Sequence, residues 1–190
     1  MQDWLGLQSE QFRAAIDIVV IDPSAPYASG IRAALPDARI AVDKWHLVAL
    51  ANTMVTEVRQ RVTRQRLGRR GTIGDRVWVN RQLLLTGADH LSAKQWDRLT
   101  AALDTTDPTA DPTGEIGATW GGEGTPATAA RGVRTVEIRW RLADFYDAVI
   151  DANMAQTSRL GGTIQTWWPA ILIALTEQVH NARTEGFNRI

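Results

Sequence analysis

The chain of 190 residues contains no cysteine, which excludes a disulfide scaffold, a thiol nucleophile and any cysteine-ligated zinc site within it. It has no net charge at pH 7, so a globally basic nucleic-acid-binding protein is not indicated. No apolar run approaches the roughly 18 residues of a membrane span, and residues 1–10 do not resemble a signal peptide. We therefore expect a single-domain cytoplasmic protein without membrane partners.

Two short segments rich in β-branched residues predict strands, one at residues 16–21 and one at residues 38–42. The residues between them read as a short helix that ends at Pro36. A strand, a helix and a second strand within about 28 residues predict a right-handed crossover between parallel strands. Asp22 and Asp43 each follow one of these strands, at the sheet edge where ligands bind in open α/β folds.

After Lys44 the apolar residues recur at intervals of three and four, which predicts mainly helical structure. The expected fold class is therefore α/β, mostly α by content. Residues 104–130, rich in Gly, Pro, Thr and Asp, read as loop. We expect Gly161 and Gly162 to interrupt a helix, and Pro169 to kink one or begin a new one. Further helices are predicted over residues 76–85, 91–103 and 139–152.

A basic segment lies in the first long helical stretch, with six arginines and no acidic residue over residues 59–70. Two interpretations remain open for it. The segment is either a solvated helix end with favourable charge at its C-terminus or a surface that contacts DNA phosphates. The candidate DNA-binding residues are Arg59, Arg61, Arg64, Arg66, Arg69 and Arg70.

Acidic residues from three separate places could meet in the folded chain. Asp22 lies in VVIDPSAPY, Asp43 and His46 lie in RIAVDKWHLV, and Glu185 lies in NARTEGFNRI just after Thr184, a candidate helix N-cap. Carboxylates at strand ends and at a helix start can converge on divalent cations. Two such ions can clamp the attacking and leaving oxygens of a phosphoryl displacement.

These segments, taken in order with their flanks, resemble the DDE transposases of bacterial insertion sequences, in the group named after the ISL-three element. The segments that carry the resemblance are VVIDPSAPYASGIRAALPDARIAVDKWHLVALAN and VHNARTEGFNRI. The helical region between them is also similar, so that the resemblance covers roughly 80% of the chain by our count.

The resemblance implies an RNase H-like catalytic fold whose acidic triad binds two Mg²⁺ (or Mn²⁺) ions. A metal-activated water would hydrolyse a phosphodiester at the element end, and the freed 3′-hydroxyl would attack double-stranded target DNA. Asp22 matches the family's second catalytic Asp and Glu185 matches its final Glu, which makes these two the expected metal ligands. Asp43 and His46 match an Asp-x-x-His motif that we expect to support the site. An alternative alignment makes Asp22 and Asp43 the first two members of the triad.

The same resemblance implies a partial fold, with a helix and βαβ core at residues 1–45. A helical insertion, including an irregular loop at about 104–137, is expected at residues 46–165, and C-terminal helices at residues 166–190. The family's first three strands and its first catalytic Asp have no counterpart, and residues 121–137 depart from its pattern. We therefore expect a truncated, inactive and marginally folded copy associated with the nucleoid. The alternative is a non-catalytic fragment that binds DNA, or that pairs with itself or with full-length transposase and inhibits it.

Overall fold

The computed structural model describes residues 2–120, 135–177 and 179, and within them the chain is mostly helical with one two-stranded sheet. These residues form two compact units, one of residues 2–48 and 163–177 and the other of residues 49–120 and 136–162. In chain order the elements are α1 (Gln2–Gly6), α2 (Glu10–Ala14), β1 (Ile18–Ile21), α3 (Ala25–Ala34), β2 (Arg39–Val42), α4 (Lys44–Leu67), α5 (Arg76–Val79), 3-10 turns at Leu83–Leu85 and Ala88–His90, α6 (Ala93–Ala102), α7 (Glu115–Trp120), α8 (Thr135–Ala152) and α9 (Ala155–Thr176).

The two strands confirm the predicted parallel crossover. β1 and β2 pair in parallel, with Ile18 opposite Arg39 and Ile21 opposite Val42. Helix α3 connects them and begins with Pro26 in its first turn, where a missing N–H costs nothing. The ladder continues one step past the strands, because the Asp43 N–H donates to the Ile21 carbonyl at 2.9 Å.

The sheet of the first unit is buried unevenly. Ile40, Ala41 and Val42 on β2 are buried, whereas most of β1 is half-buried. At the N-terminal edge of the sheet, Arg39 holds Asp17 at 2.7 Å and Glu177 at 2.8 Å. The Arg39 guanidinium lowers the pKa of the Asp17 carboxyl. Within the described residues, no helix is long and apolar enough to cross a membrane.

Helix α4 carries the predicted apolar stripe, and Leu47, Met54, Val58 and Val62 are all buried. It ends at Leu67 and is followed by Gly68, whose φ of 65° is the left-handed conformation that glycine adopts most easily after a helix C-terminus. Its N–H donates to the Arg64 carbonyl, the one four residues back.

Helix α6 begins as predicted, because the Ser92 and Gln95 side chains form a reciprocal capping box. The helix predicted over residues 76–85 is shorter than expected, since α5 ends at Val79 and a 3-10 turn follows at Leu83–Leu85.

The loop predicted over residues 104–130 is wrong for residues 115–120, which form helix α7. Asp104 and Asp107 each accept hydrogen bonds from the threonine two residues further on, which forms tight local turns. Asp111 is fully buried and accepts the Gly117 N–H at 2.8 Å, which anchors the start of α7. The aspartates of this polar stretch therefore stabilise local structure by accepting hydrogen bonds from backbone N–H groups. Residues 121–134 lie outside the described residues.

The predicted break at Gly161 and Gly162 was also wrong, because both lie inside α9. The interruption occurs earlier, at Asn153, whose φ of 45° separates α8 from α9. Helix α9 also continues through Pro169. Asparagine tolerates the left-handed region, so it ends a helix without a glycine.

Candidate functional site

Asp43 occupies a structural position as well as a candidate functional one. It follows β2 directly and precedes α4, and its carboxylate Oδ1 accepts the Trp45 N–H at 3.1 Å, as a helix N-cap does. Asp43 is only 4% exposed. An aspartate suits this position between β2 and α4, because its carboxylate accepts a hydrogen bond from a backbone N–H in the first turn of the helix, which has no partner within the helix.

Asp22 and His46 meet at the same C-terminal edge of the sheet. Asp22 is exposed at the end of β1, and its Oδ1 lies 2.6 Å from the His46 Nε2. His46 lies in the first turn of α4, and its backbone N–H donates to the Asp43 carbonyl at 3.2 Å. The Trp45 ring packs edge-on against the imidazole at 5.1 Å.

The three side chains form a group that could hold a metal ion. One ligand atom from each of Asp22, Asp43 and His46 lies within 4.8 Å of the others. The contact of Asp22 with His46 and the hydrogen bond of Asp43 with the Trp45 N–H each use a single carboxylate oxygen, which leaves the second oxygen of each aspartate for a ligand. Carboxylate oxygens suit Mg²⁺ and Mn²⁺, and imidazole suits later transition metals. The donor set therefore fits a divalent cation, with the two aspartates as its oxygen ligands.

The structure thus brings together three of the four residues predicted for the catalytic site. Glu185, with its predicted role as the final acidic ligand, lies outside the described residues. Lys44, the residue after Asp43, is partly buried, and this burial lowers the pKa of its ammonium group. The roles predicted for the four residues remain predictions.

The six arginines of residues 59–70 divide into two groups according to their partners. Arg61 binds Glu115 at 2.6 Å, and Arg69 binds Asp75 at 2.7 Å. Arg66 donates to the backbone carbonyl of Ala110. The guanidinium groups of these three arginines therefore already have acceptors within the second unit.

The other three arginines line one cleft of about 280 Å³ in the second unit. Arg64 and Arg70 are exposed, and Arg59 is only 8% exposed. Within the part of the chain that the structure describes, no carboxylate or carbonyl accepts from these three guanidinium groups. Burial lowers the pKa of Arg59, and the like charge of Arg81 adds to this effect.

Sequence reasoning did not identify the wall of this cleft. Trp78 lines it beside Gly71, and a Cβ built on Gly71 would lie 2.6 Å from the Trp78 ring. Arg81 lies over the Trp78 ring, 3.9 Å from its centroid, and donates to the Trp78 carbonyl at 2.9 Å. The sequence around Gly71 gave no indication that its backbone lies close to the Trp78 ring, because the two residues belong to different segments of the chain.

Three comparisons with known proteins bear on the identity of the chain. In the comparison with protein families, the DDE transposase family of the ISL-three group, described as Transposase, matches residues 1–190. The comparisons with curated proteins and with solved structures found no match. The family match spans the whole chain and agrees with the resemblance carried by Asp22, Asp43 and His46. The chain therefore belongs to the ISL-three family of DDE transposases.

Proposed function

We propose that this chain contributes the catalytic site of DNA transposition, by phosphodiester hydrolysis and strand transfer on double-stranded DNA in the bacterial cytoplasm. The observation that carries the proposal is the meeting of Asp22, Asp43 and His46 at the C-terminal edge of a parallel strand pair. A parallel βαβ unit with acidic residues at that edge supports an RNase H-like core, in which ligands bind at the carboxyl ends of the strands.

Each residue of the group has a separate task in this proposal. Asp22 is exposed and presents a carboxylate to the DNA side of the site, while His46 holds that carboxylate in one orientation. Asp43 is buried and fixed by the Trp45 N–H, so its position depends on the start of α4. Bound Mg²⁺ or Mn²⁺ would stabilise the charge that develops on the phosphate oxygens. Glu185 is proposed as the further acidic ligand.

The proposal is tested by locating the metal without relying on activity. Fe²⁺ replaces Mg²⁺ at such sites, and it reduces added hydrogen peroxide to hydroxyl radicals that cleave the nearby backbone, while ascorbate regenerates Fe²⁺ from Fe³⁺. We expect cleavage of the wild-type chain close to Asp22 and Asp43, suppressed by excess Mg²⁺. D22N should lose this cleavage and bind Mn²⁺ at least about 10-fold more weakly, since removal even of outer metal-site groups costs that much.

The matched control is D97N, which neutralises an exposed aspartate on α6 and should cleave like the wild type. D43N separates the two alignments, because the amide that it introduces could still accept the Trp45 N–H but would be a poorer metal ligand. Retained metal binding in D43N would make Asp43 a support residue, and lost binding would make it a member of the triad. Equal cleavage of D22N and wild type would contradict the proposed site.

We further propose that the 190 residues alone do not catalyse transfer. Under the alignment that makes Asp43 a support residue, Asp22 and Glu185 supply two carboxylates, and two carboxylates leave a pair of Mg²⁺ ions short of charge neutralisation. Such a chain would bind DNA without cleaving it and could inhibit an active transposase. Strand transfer of labelled element-end DNA by the purified chain in Mg²⁺ or Mn²⁺ would show that the site is complete.

A further inference from the structure

The cleft of the second unit has an excess of positive charge and no acidic residue in its lining. Three arginines line it, and none of its lining residues is acidic. Arg61, Arg66 and Arg69 on the same basic segment have acceptors within the chain. The three cleft arginines are therefore the ones left for a ligand.

Arg59 gives the strongest reason to expect an anion. Arg59 as a residue is 8% exposed, lines the cleft and has no anionic partner among the described residues. A buried cation without a counter-charge is costly, and an anion in the cleft would remove that cost. Arg81 increases the local positive charge, because its guanidinium stacks on the Trp78 ring at the same wall.

The size of the cleft and the arginines that line it suit a small anion. Trp78 contacts the Arg81 guanidinium and lies close to the backbone of Gly71. Arg64 and Arg70 are exposed, so both can reach an anion that enters from solvent. Arginine suits phosphate because its planar group donates two parallel hydrogen bonds.

We propose that Arg59, Arg64 and Arg70 form a binding site for a backbone phosphate of DNA, distinct from the group of Asp22, Asp43 and His46. The identity of the phosphate as a phosphodiester of DNA rests on the proposed function, while the anion site rests on the cleft itself. The site positions a DNA strand by its backbone and reads no base sequence.

The test compares two double variants of equal charge. R64A/R70A removes the two exposed cleft arginines, and R98A/R139A removes two exposed arginines of the second unit that do not line the cleft. Binding to a labelled random-sequence duplex is measured by fluorescence anisotropy over a salt series in EDTA. R64A/R70A should flatten the log–log salt slope by about 1.8, since each lost phosphate contact is worth about 0.9.

R98A/R139A should change the salt slope clearly less than R64A/R70A does. A second measurement uses inorganic phosphate against chloride at equal ionic strength. Phosphate should raise the melting temperature of wild type and of R98A/R139A, and it should leave that of R64A/R70A unchanged.

Three outcomes would overturn the proposal. Equal slope changes in the two double variants would indicate general electrostatics, and no duplex binding by wild type would remove the DNA site altogether. Stabilisation by phosphate without a slope change would assign the cleft to a free phosphate. Because EDTA removes divalent ions, failure of the metal site leaves these results unaffected, so the two proposals can fail separately.

Discussion

At the scale of single residues, several aspartates stabilise turns and helix starts by accepting hydrogen bonds from backbone N–H groups. Asp43 caps α4 through the Trp45 N–H, and Asp111 accepts the Gly117 N–H at the start of α7. Asp75 accepts from the Arg69 guanidinium and from the Thr72 N–H. Each carboxylate satisfies backbone donors that regular structure leaves unpaired, as expected for aspartate in turns and at helix starts.

Asp75 leads to a pH prediction. The Arg69 guanidinium, followed by the Thr72 N–H, holds the pKa of the Asp75 carboxyl well below its ordinary range. A lowered pKa in the folded state stabilises the chain above the unfolded pKa of about 3.9, and the stabilisation falls as the pH drops towards the folded pKa. We therefore expect protection of the Thr72 amide from hydrogen exchange near pH 6, declining below about pH 4.

The comparison for this prediction uses D75N and D97N. D75N should protect Thr72 less than wild type does at pH 6, because a neutral amide accepts a hydrogen bond more weakly than a carboxylate, and the difference should shrink below about pH 4. D97N changes an exposed aspartate outside this turn and should follow the wild type throughout. Identical Thr72 exchange in D75N and wild type at pH 6 would show that the carboxylate does not hold the turn.

At the scale of elements, α9 shows how a helix can include residues that disfavour it. Gly161 is buried, and a Cβ there would lie 3.3 Å from the Val149 Cγ1 on α8. The absence of a side chain at Gly161 therefore lets α8 and α9 approach closely. Gly162 is exposed, and an added Cβ would meet nothing within 4 Å.

These two glycines predict opposite responses to alanine. G162A should raise the free energy of unfolding by about 0.5–1 kcal/mol, because alanine loses less backbone entropy in a helix than glycine does. G161A should gain less or lose stability, since Val149 must move to admit the new methyl group. Urea unfolding followed by circular dichroism measures both, and a destabilised G162A would contradict this account of α9.

At the scale of the whole molecule, the sheet is the weakest part of the described fold. It has two strands, and Ile18, Val19 and Val20 on β1 are only half-buried. Parallel sheets are normally covered on both faces, because their strands are apolar throughout. The packing of the helices therefore contributes more to the stability of this chain than the sheet does.

Thermal unfolding should consequently be broad and weakly cooperative. A 190-residue protein that unfolds in one step would show a calorimetric enthalpy of about 130 kcal/mol near 60 °C. We expect the van't Hoff enthalpy from the shape of the transition to fall well below the calorimetric value. Differential scanning calorimetry gives both quantities, and a ratio close to one would mean that the chain unfolds as a single cooperative unit.

Local patterns were sufficient for the parts of the fold that depend on neighbours in sequence. β-branched segments and their spacing predicted the parallel strands β1 and β2, and the 3.6-residue period predicted the buried stripe of α4. The same patterns placed Asp22 and Asp43 at one sheet edge, because parallel strands end on the same side. These features follow from backbone geometry, so the sequence by itself determined them.

Long-range contacts decided the rest. The sequence left six arginines equivalent, and only the tertiary structure separates Arg61, which binds Glu115 54 residues away, from Arg59, which has no anionic partner among the described residues. The tertiary structure likewise accounts for Gly161 inside a helix, because packing against Val149 offsets the poor helix propensity of glycine. Local propensity is worth about 1 kcal/mol per residue or less, and contacts between distant segments readily exceed it.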